Sequence, residues 1–225
     1  MAQQCQMMKK EASVLWHDSS MNTSHSRKMP TRVVAVMTLA WIALAGCGGE
    51  TENQSQNKTT YQESASEKMI NAAERGDLSG VKRYLERGVD VNAKGGFPEW
   101  TALGAAVKAG NDSVVKFLIA NGADVNARSV NECTPLHLAA LNGRKRAAQL
   151  LIAAGASVNA KDDDGGTPLH DAVSMGNKDV VELLIAKGAA INARTKSMGW
   201  TPLGLAIEME EDDIAGFLRQ HGARE

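Results

Sequence analysis

Four segments of this chain read almost alike. They are "TALGAAVKAG" from Thr101, "TPLHLAALNG" from Thr134, "TPLHDAVSMG" from Thr167 and "TPLGLAIEME" from Thr201. They start 33, 33 and 34 residues apart. Each is followed by a second apolar segment: "SVVKFLIANGADVNA", "RAAQLLIAAGASVNA", "DVVELLIAKGAAINA" and "DIAGFLRQHGARE". A degenerate earlier copy runs from Met69 to Ala93, "MINAAERGDLSGVKRYLERGVDVNA". Such a period restricts the fold severely. Each copy is a small unit that cannot bury its apolar face alone, so neighbours must stack into a solenoid.

The residue types predict two helices per copy. Thr134 and Thr167 stand where a helix begins, and a threonine hydroxyl there can satisfy free backbone amides. Pro135, Pro168 and Pro202 follow in the first turn, where a missing N–H costs nothing. Leu136, Ala139 and Ala140 form one apolar face of a short first helix. Leu150, Leu151 and Ile152 form the core of the second. Gly88, Gly122, Gly155, Gly188 and Gly222 stop the second helices. Asn92, Asn126, Asn159 and Asn192 then open an extended loop toward the next copy.

Period, "TPLH" and "GADVN" recur in register, and on these motifs the chain resembles the ankyrin repeat family. The resemblance covers about 160 of the 179 residues from Cys47 onward. It implies an all-α ankyrin-repeat solenoid of five stacked helix-turn-helix repeats with finger loops. The repeats are expected near 66–99, 100–132, 133–165, 166–199 and 200–225, within a domain spanning 66–225. The first and last copies are atypical and polar, around Glu67, Lys68, Glu74 and Arg75 at one end and Glu210 to Asp213 at the other, as solenoid caps must be to stay soluble.

Ahead of the repeats lies "RVVAVMTLAWIALAGCGGE", Arg32 to Glu50. Its apolar run, Val33 to Ala45, is too short for a membrane span of about 20 residues and suits the core of a signal peptide. Arg27, Lys28 and Arg32 precede it and small residues end it. "LAGC", Leu44 to Cys47, resembles the lipobox of bacterial lipoproteins. That likeness implies a diacylglyceryl group on the Cys47 sulfur, cleavage before Cys47, and residues 1–46 as signal peptide. Met1 to Ser26 is a long leader, and Met21 or Met29 would give a start of ordinary length. Residues 47–65 are polar after the cysteine and read as a tether, with a reach of roughly 25 Å. A bacterial cell-envelope location follows from this reading, lipid-anchored on the periplasmic side of the outer membrane, because Gly48 rather than aspartate follows the cysteine.

Residues 1–46 hold five of the 25 basic and two of the 26 acidic residues, which leaves 20 against 24 in the rest. That balance argues against nucleic acid as a partner. Of three cysteines, Cys5 lies in the leader and Cys47 is the lipid candidate, so Cys133 has no disulfide partner and packing alone must hold the fold. Chemistry is sparse. His137 and His170 sit at equivalent positions of neighbouring repeats, roughly 10 Å apart, too far to share a metal. The family resemblance gives such a histidine a hydrogen-bonding role within its repeat and toward the next. Gly104 and Gly204 replace it in repeats two and five, where that bond is lost. Asp162, Asp163 and Asp164 lack the alternation and closing glutamate of a calcium loop and read as a solvated finger tip. Cys133 has no placed activating base apart from His137. "GRKR", Gly143 to Arg146, reads as a solvated helix start. No phosphate loop or nucleophile elbow occurs. Neither an enzyme, a metal nor a cofactor is expected.

The expected activity is protein binding by a monomer. The family resemblance places finger tips and first-helix ends on a concave side. The candidate contact residues there are Phe97, Trp100, Lys108, Leu141, Asn142, Ser174, Met175, Met198, Trp200 and Met209. Tryptophan is enriched among residues that anchor partners. The competing reading is that Trp100 and Trp200 fold over their own fingers, the two that are one residue longer than the rest. The expected function is a membrane-tethered, non-enzymatic interaction module for an envelope protein. The alternative is an inhibitor or immunity-type protector against an envelope enzyme or toxin.

Overall fold

Two short helices per repeat, each closed by a turn, leave one apolar stripe that only another repeat can cover. In the computed structural model, which describes residues 63–96 and 99–224, this is how the chain is built. The first helices are α1 (Ala65–Glu74), α3 (Ala102–Ala109), α5 (Pro135–Leu141), α7 (Pro168–Ser174) and α9 (Pro202–Glu208). The second helices are α2 (Leu78–Glu86), α4 (Asp112–Ala120), α6 (Lys145–Ala153), α8 (Lys178–Ala186) and α10 (Asp212–Gln220). Each first helix packs on its own second helix and on the first helices of neighbouring repeats. The second helices α2, α4, α6 and α8 form the other layer. The fold is an all-α solenoid of five repeats. None of its helices is long and apolar enough to cross a membrane among the described residues. The signal peptide, Cys47, nearly all of the tether and Phe97 lie outside the described residues.

The core lies between the two layers. Leu103, Leu136, Leu169 and Leu203 hold one row from the first helices, and Leu118, Leu151, Leu184 and Leu218 another from the second. All eight are buried. Alanines 106, 139, 172 and 206 keep neighbouring first helices close. The second-helix core is narrower than the sequence suggests: Leu151 is inaccessible, while Leu150 and Ile152 are only half-buried at its sides.

α1 opens at Ala65, with Ser64 as its N-cap, so the helix starts at the edge of the expected tether. Ser64 N–H donates to Glu67 Oε2 at 2.7 Å and Glu67 N–H returns to Ser64 Oγ at 3.1 Å. The Ser64 N–H first, and then the Ser64 hydroxyl, hold the Glu67 carboxyl below the usual carboxylate range.

Between repeats, the chain turns through a finger closed by backbone hydrogen bonds. In the first finger, residues 94–95 and 100–101 make a minimal antiparallel pair, β1 (Lys94–Gly95) with β2 (Trp100–Thr101). The later fingers close through Ser129 N–H to Cys133 O, Asp162 N–H to Gly166 O and Thr195 N–H to Trp200 O, at 2.9–3.0 Å.

Asparagines fasten one repeat to the next. Asn126 donates to Gly155 O at 3.4 Å and accepts Ser157 N–H at 2.8 Å. Asn92 does the same with Gly122 and Asp124, Asn159 with Gly188 and Ala190, and Asn192 with Gly222 and Arg224. A primary amide suits this place because it offers a donor and an acceptor together.

Candidate protein-binding face

The finger loops and first helices carry all the candidate contact residues. What each can do depends on which neighbours already hold it. In repeats three and four the slot between finger and helix is filled by histidine. Thr134 N–H donates to His137 Nδ1 at 3.1 Å, and the Thr134 hydroxyl lies 2.9 Å from the same nitrogen. Nδ1 is therefore an acceptor, and Nε2 carries the proton toward Gly166 O, 3.4 Å away in the next finger. His170 repeats this with Thr167, and its Nε2 reaches Ala193 O and Trp200 O, each at 3.1 Å. Both rings thus serve their own repeat and the next, the role the resemblance implies. Burial pushes His170 below the usual imidazole range. The carbonyls of Trp200 and Ala193 and the charges of Asp171 and Asp162 oppose that shift.

In repeats two and five the histidine is glycine, and the threonine hydroxyl instead accepts the glycine N–H. Gly104 N–H reaches Thr101 Oγ1 at 3.3 Å, and Gly204 N–H reaches Thr201 Oγ1 at 3.1 Å. What takes the vacated volume differs between the two. A Cβ on Gly204 would stand 3.1 Å from Trp200 Cε3, so there the tryptophan ring lies against the glycine. One on Gly104 would stand 3.4 Å from Leu138 Cδ1 of the next repeat and 3.7 Å from Trp100 Cβ. Both tryptophans are half-buried and pack against the core.

Three polar candidates also have local duties. Lys108 Nζ lies 4.6 Å from the Trp100 ring centre and 3.4 Å from Glu74 Oε1. Asn142 Nδ2 donates to Leu138 O at 2.8 Å, and Ser174 Oγ donates to Asp171 O at 3.0 Å. The apolar candidates are less committed. Leu141, Met175 and Met209 are half-buried at the ends of α5, α7 and α9, which lie side by side. Met198 is 51% exposed on the last finger.

Two exposed apolar residues escaped the sequence reading, Val130 and Ile207. Val130 had a signal, since it is an apolar residue in an otherwise polar finger. Ile207 had none, because Val107, Ala140 and Val173 at the same repeat position are wholly buried.

The acidic finger tip differs from expectation. Asp162 Oδ1 accepts the N–H groups of Asp164 at 3.0 Å and Gly166 at 2.7 Å and so shapes its own loop. The Asp164 carboxylate accepts Ser197 N–H and Oγ–H from the next finger, each at 3.0 Å. Of the three only Asp163 is exposed, so the run is a junction between fingers rather than a solvated tip. The space beside Cys133 is ≈ 10 Å³, too small for a substrate, and the thiol is buried. Among the described residues, no group of three His, Cys, Asp or Glu side chains is arranged to hold a metal.

A stack of helix pairs with projecting fingers presents its side chains along one extended surface. The family model for ankyrin repeats (three copies) matches residues 69–162 and 158–224, and the chain belongs to that family. It is 34% identical over 93 residues to the 2-5A-dependent ribonuclease of Mus musculus, covering 41% of this chain and 12% of that protein. It is 32% identical to ankyrin repeat domain-containing protein 40 of Homo sapiens, over 37% of this chain and 23% of the relative. A putative ankyrin repeat protein of Rickettsia felis is 40% identical over 62 residues, 24% of this chain and 42% of that protein. The chain thus spans less than half the length of these curated relatives, and the ribonuclease match lies within its repeats. Ankyrin repeats are generally non-catalytic, and those of this chain indicate a protein–protein interaction module.

Proposed function

We propose that this chain is a lipid-anchored adaptor that holds a protein partner on the face shared by its fingers and first helices. Cys47 carries the lipid, residues 48–63 span from membrane to repeats, and the partner is a protein of the bacterial envelope. The repeats would sit at the periplasmic side of the outer membrane. The observation that carries the binding face is the row of Leu141, Met175 and Met209 at adjacent helix ends, with the exposed Met198 on the last finger. Affinity at such faces concentrates in a few apolar anchors while the charged rim contributes little.

The test is capture of a cross-linked partner from detergent-solubilised envelope. Leu141→Arg with Met175→Arg should lose a partner that wild type retains, with the circular dichroism of the repeats unchanged. If that double variant keeps the partner while Arg144, Lys145 and Arg146 prove necessary, the binding face lies on the second helices.

A further inference from the structure

Repeats two and five share the tryptophan–glycine pair, but only one of the two hollows beside it is closed. Next to Gly104 the following repeat fills the space. A Cβ there would meet Leu138 Cδ1 at 3.4 Å, and Cys133, Pro135 and Leu138 line a remnant of ≈ 10 Å³. Next to Gly204 the hollow is ≈ 310 Å³, and its lining comes from the finger of repeat four, Arg194 and Gly199, and from Trp200 to Glu208 of repeat five. Ile207 stands 42% exposed at its edge, where Val107, Ala140 and Val173 are wholly covered by the stack.

The second helix of repeat five ends differently. Ile119, Ile152 and Ile185 pack half-buried in α4, α6 and α8, but α10 carries the exposed Arg219 at that position. This end of the stack is therefore polar on its second-helix side and apolar on its first-helix side. A whole further repeat would need both sides apolar. A single helix needs only the hollow. Glu208 lines the hollow, and an acidic run follows it in the chain: Glu210, Asp212 and Asp213 are exposed, and Glu211 is half-buried. Arg194, the cation in the lining, donates to Gly199 O at 3.0 Å.

We propose that this hollow docks an amphipathic helix of the partner protein, with a leucine entering between Ile207 and the Trp200 ring, which covers Gly204, and lysines or arginines facing the acidic residues at the end of α9 and the turn after it. The inference rests on the reading that the chain binds a protein, and it narrows the contact to the end of the face. Helix-in-groove recognition takes its anchors from one apolar helix face. The opposed charges steer encounter and make binding fall with salt.

A fluorescein-labelled synthetic helix, with leucines four residues apart and lysines elsewhere on the facing side, is titrated against the full chain by anisotropy. Saturable binding is expected, weakened about tenfold or more by Ile207→Arg or Ile207→Ser, by alanine for leucine in the peptide, and by glutamate for lysine. Ile207 is exposed, so both variants should fold. Equal binding to wild type and Ile207→Arg, or no binding to wild type, overturns the proposal. Binding lost in Leu141→Arg but kept in Ile207→Arg also overturns it, and leaves the broader face intact. If the wild-type chain sediments as a dimer that Ile207→Arg dissociates, the occupant is a second copy and the partner helix is wrong.

Discussion

Gly143 and Glu210 occupy the same position in repeats three and five, just past the first helix, and both have left-handed backbone, φ 64° and 58°. They should respond to substitution in opposite directions. At Gly143 a Cβ would stand 2.8 Å from Asn177 Oδ1. Asn177 belongs to the next repeat and donates to Ala140 O at 2.7 Å and Leu141 O at 3.3 Å. Alanine at 143 therefore meets the left-handed penalty, about 1–2 kcal/mol, and disturbs two hydrogen bonds worth about 1 kcal/mol each. Setting against this the roughly 0.5–1 kcal/mol by which alanine restricts the unfolded chain, Gly143→Ala should cost about 2–3 kcal/mol. Glu210→Gly relieves the same backbone penalty and loses only the entropic term, so it should gain about 0.5–1 kcal/mol. Urea unfolding followed by circular dichroism reads both as midpoint shifts at unchanged slope. If Gly143→Ala shifts stability by less than about 0.5 kcal/mol, or Glu210→Gly destabilises, the reasoning from backbone and neighbour is wrong.

Leu151→Ala should cost about 2–5 kcal/mol, since α6 is packed by α5, α4 and α8 and cannot collapse onto the cavity. Leu218→Ala should cost less, although Leu218 is equally buried, because α10 packs chiefly on α9 and can relax; equal losses in the melt would contradict this. Because burial depresses the folded His170 value, the unfolded chain takes up the proton first; the stability His170 contributes is whole above about pH 6.5 and declines as pH falls below it. Urea melts at pH 7.5 and 5.5 should show a smaller loss for His170→Gln than for wild type, and identical losses would refute the role. Cys47→Ser should leave an uncleaved precursor without lipid, seen as a mass and detergent-partition difference; unchanged processing would end the lipoprotein reading.

The period, the threonine–proline helix starts and the glycine stops place ten helices and their stacking order, because these signals act within a few residues of backbone. The leucine rows are legible for the same reason, since their spacing matches the helical repeat. The roles of single side chains are not, because they depend on residues about 30 positions away. Asn92 and its equivalents look like loop residues in the sequence, but each takes its partners from the following repeat. Asp164 looks solvated, yet its carboxylate is held by Ser197 of the next finger. Trp200 shares its repeat position with Trp100, but the ring of Trp200 lies against Gly204, whereas Leu138 of the next repeat is the nearest group to Gly104. Ile207 shows the limit most clearly. Its residue type and repeat position are those of a core residue, yet it is 42% exposed, while Val107, Ala140 and Val173, each with a further repeat packed beside it, are wholly buried. Local sequence specifies the repeat, whereas burial is a property of the neighbour, and tertiary packing alone decides which copies have one.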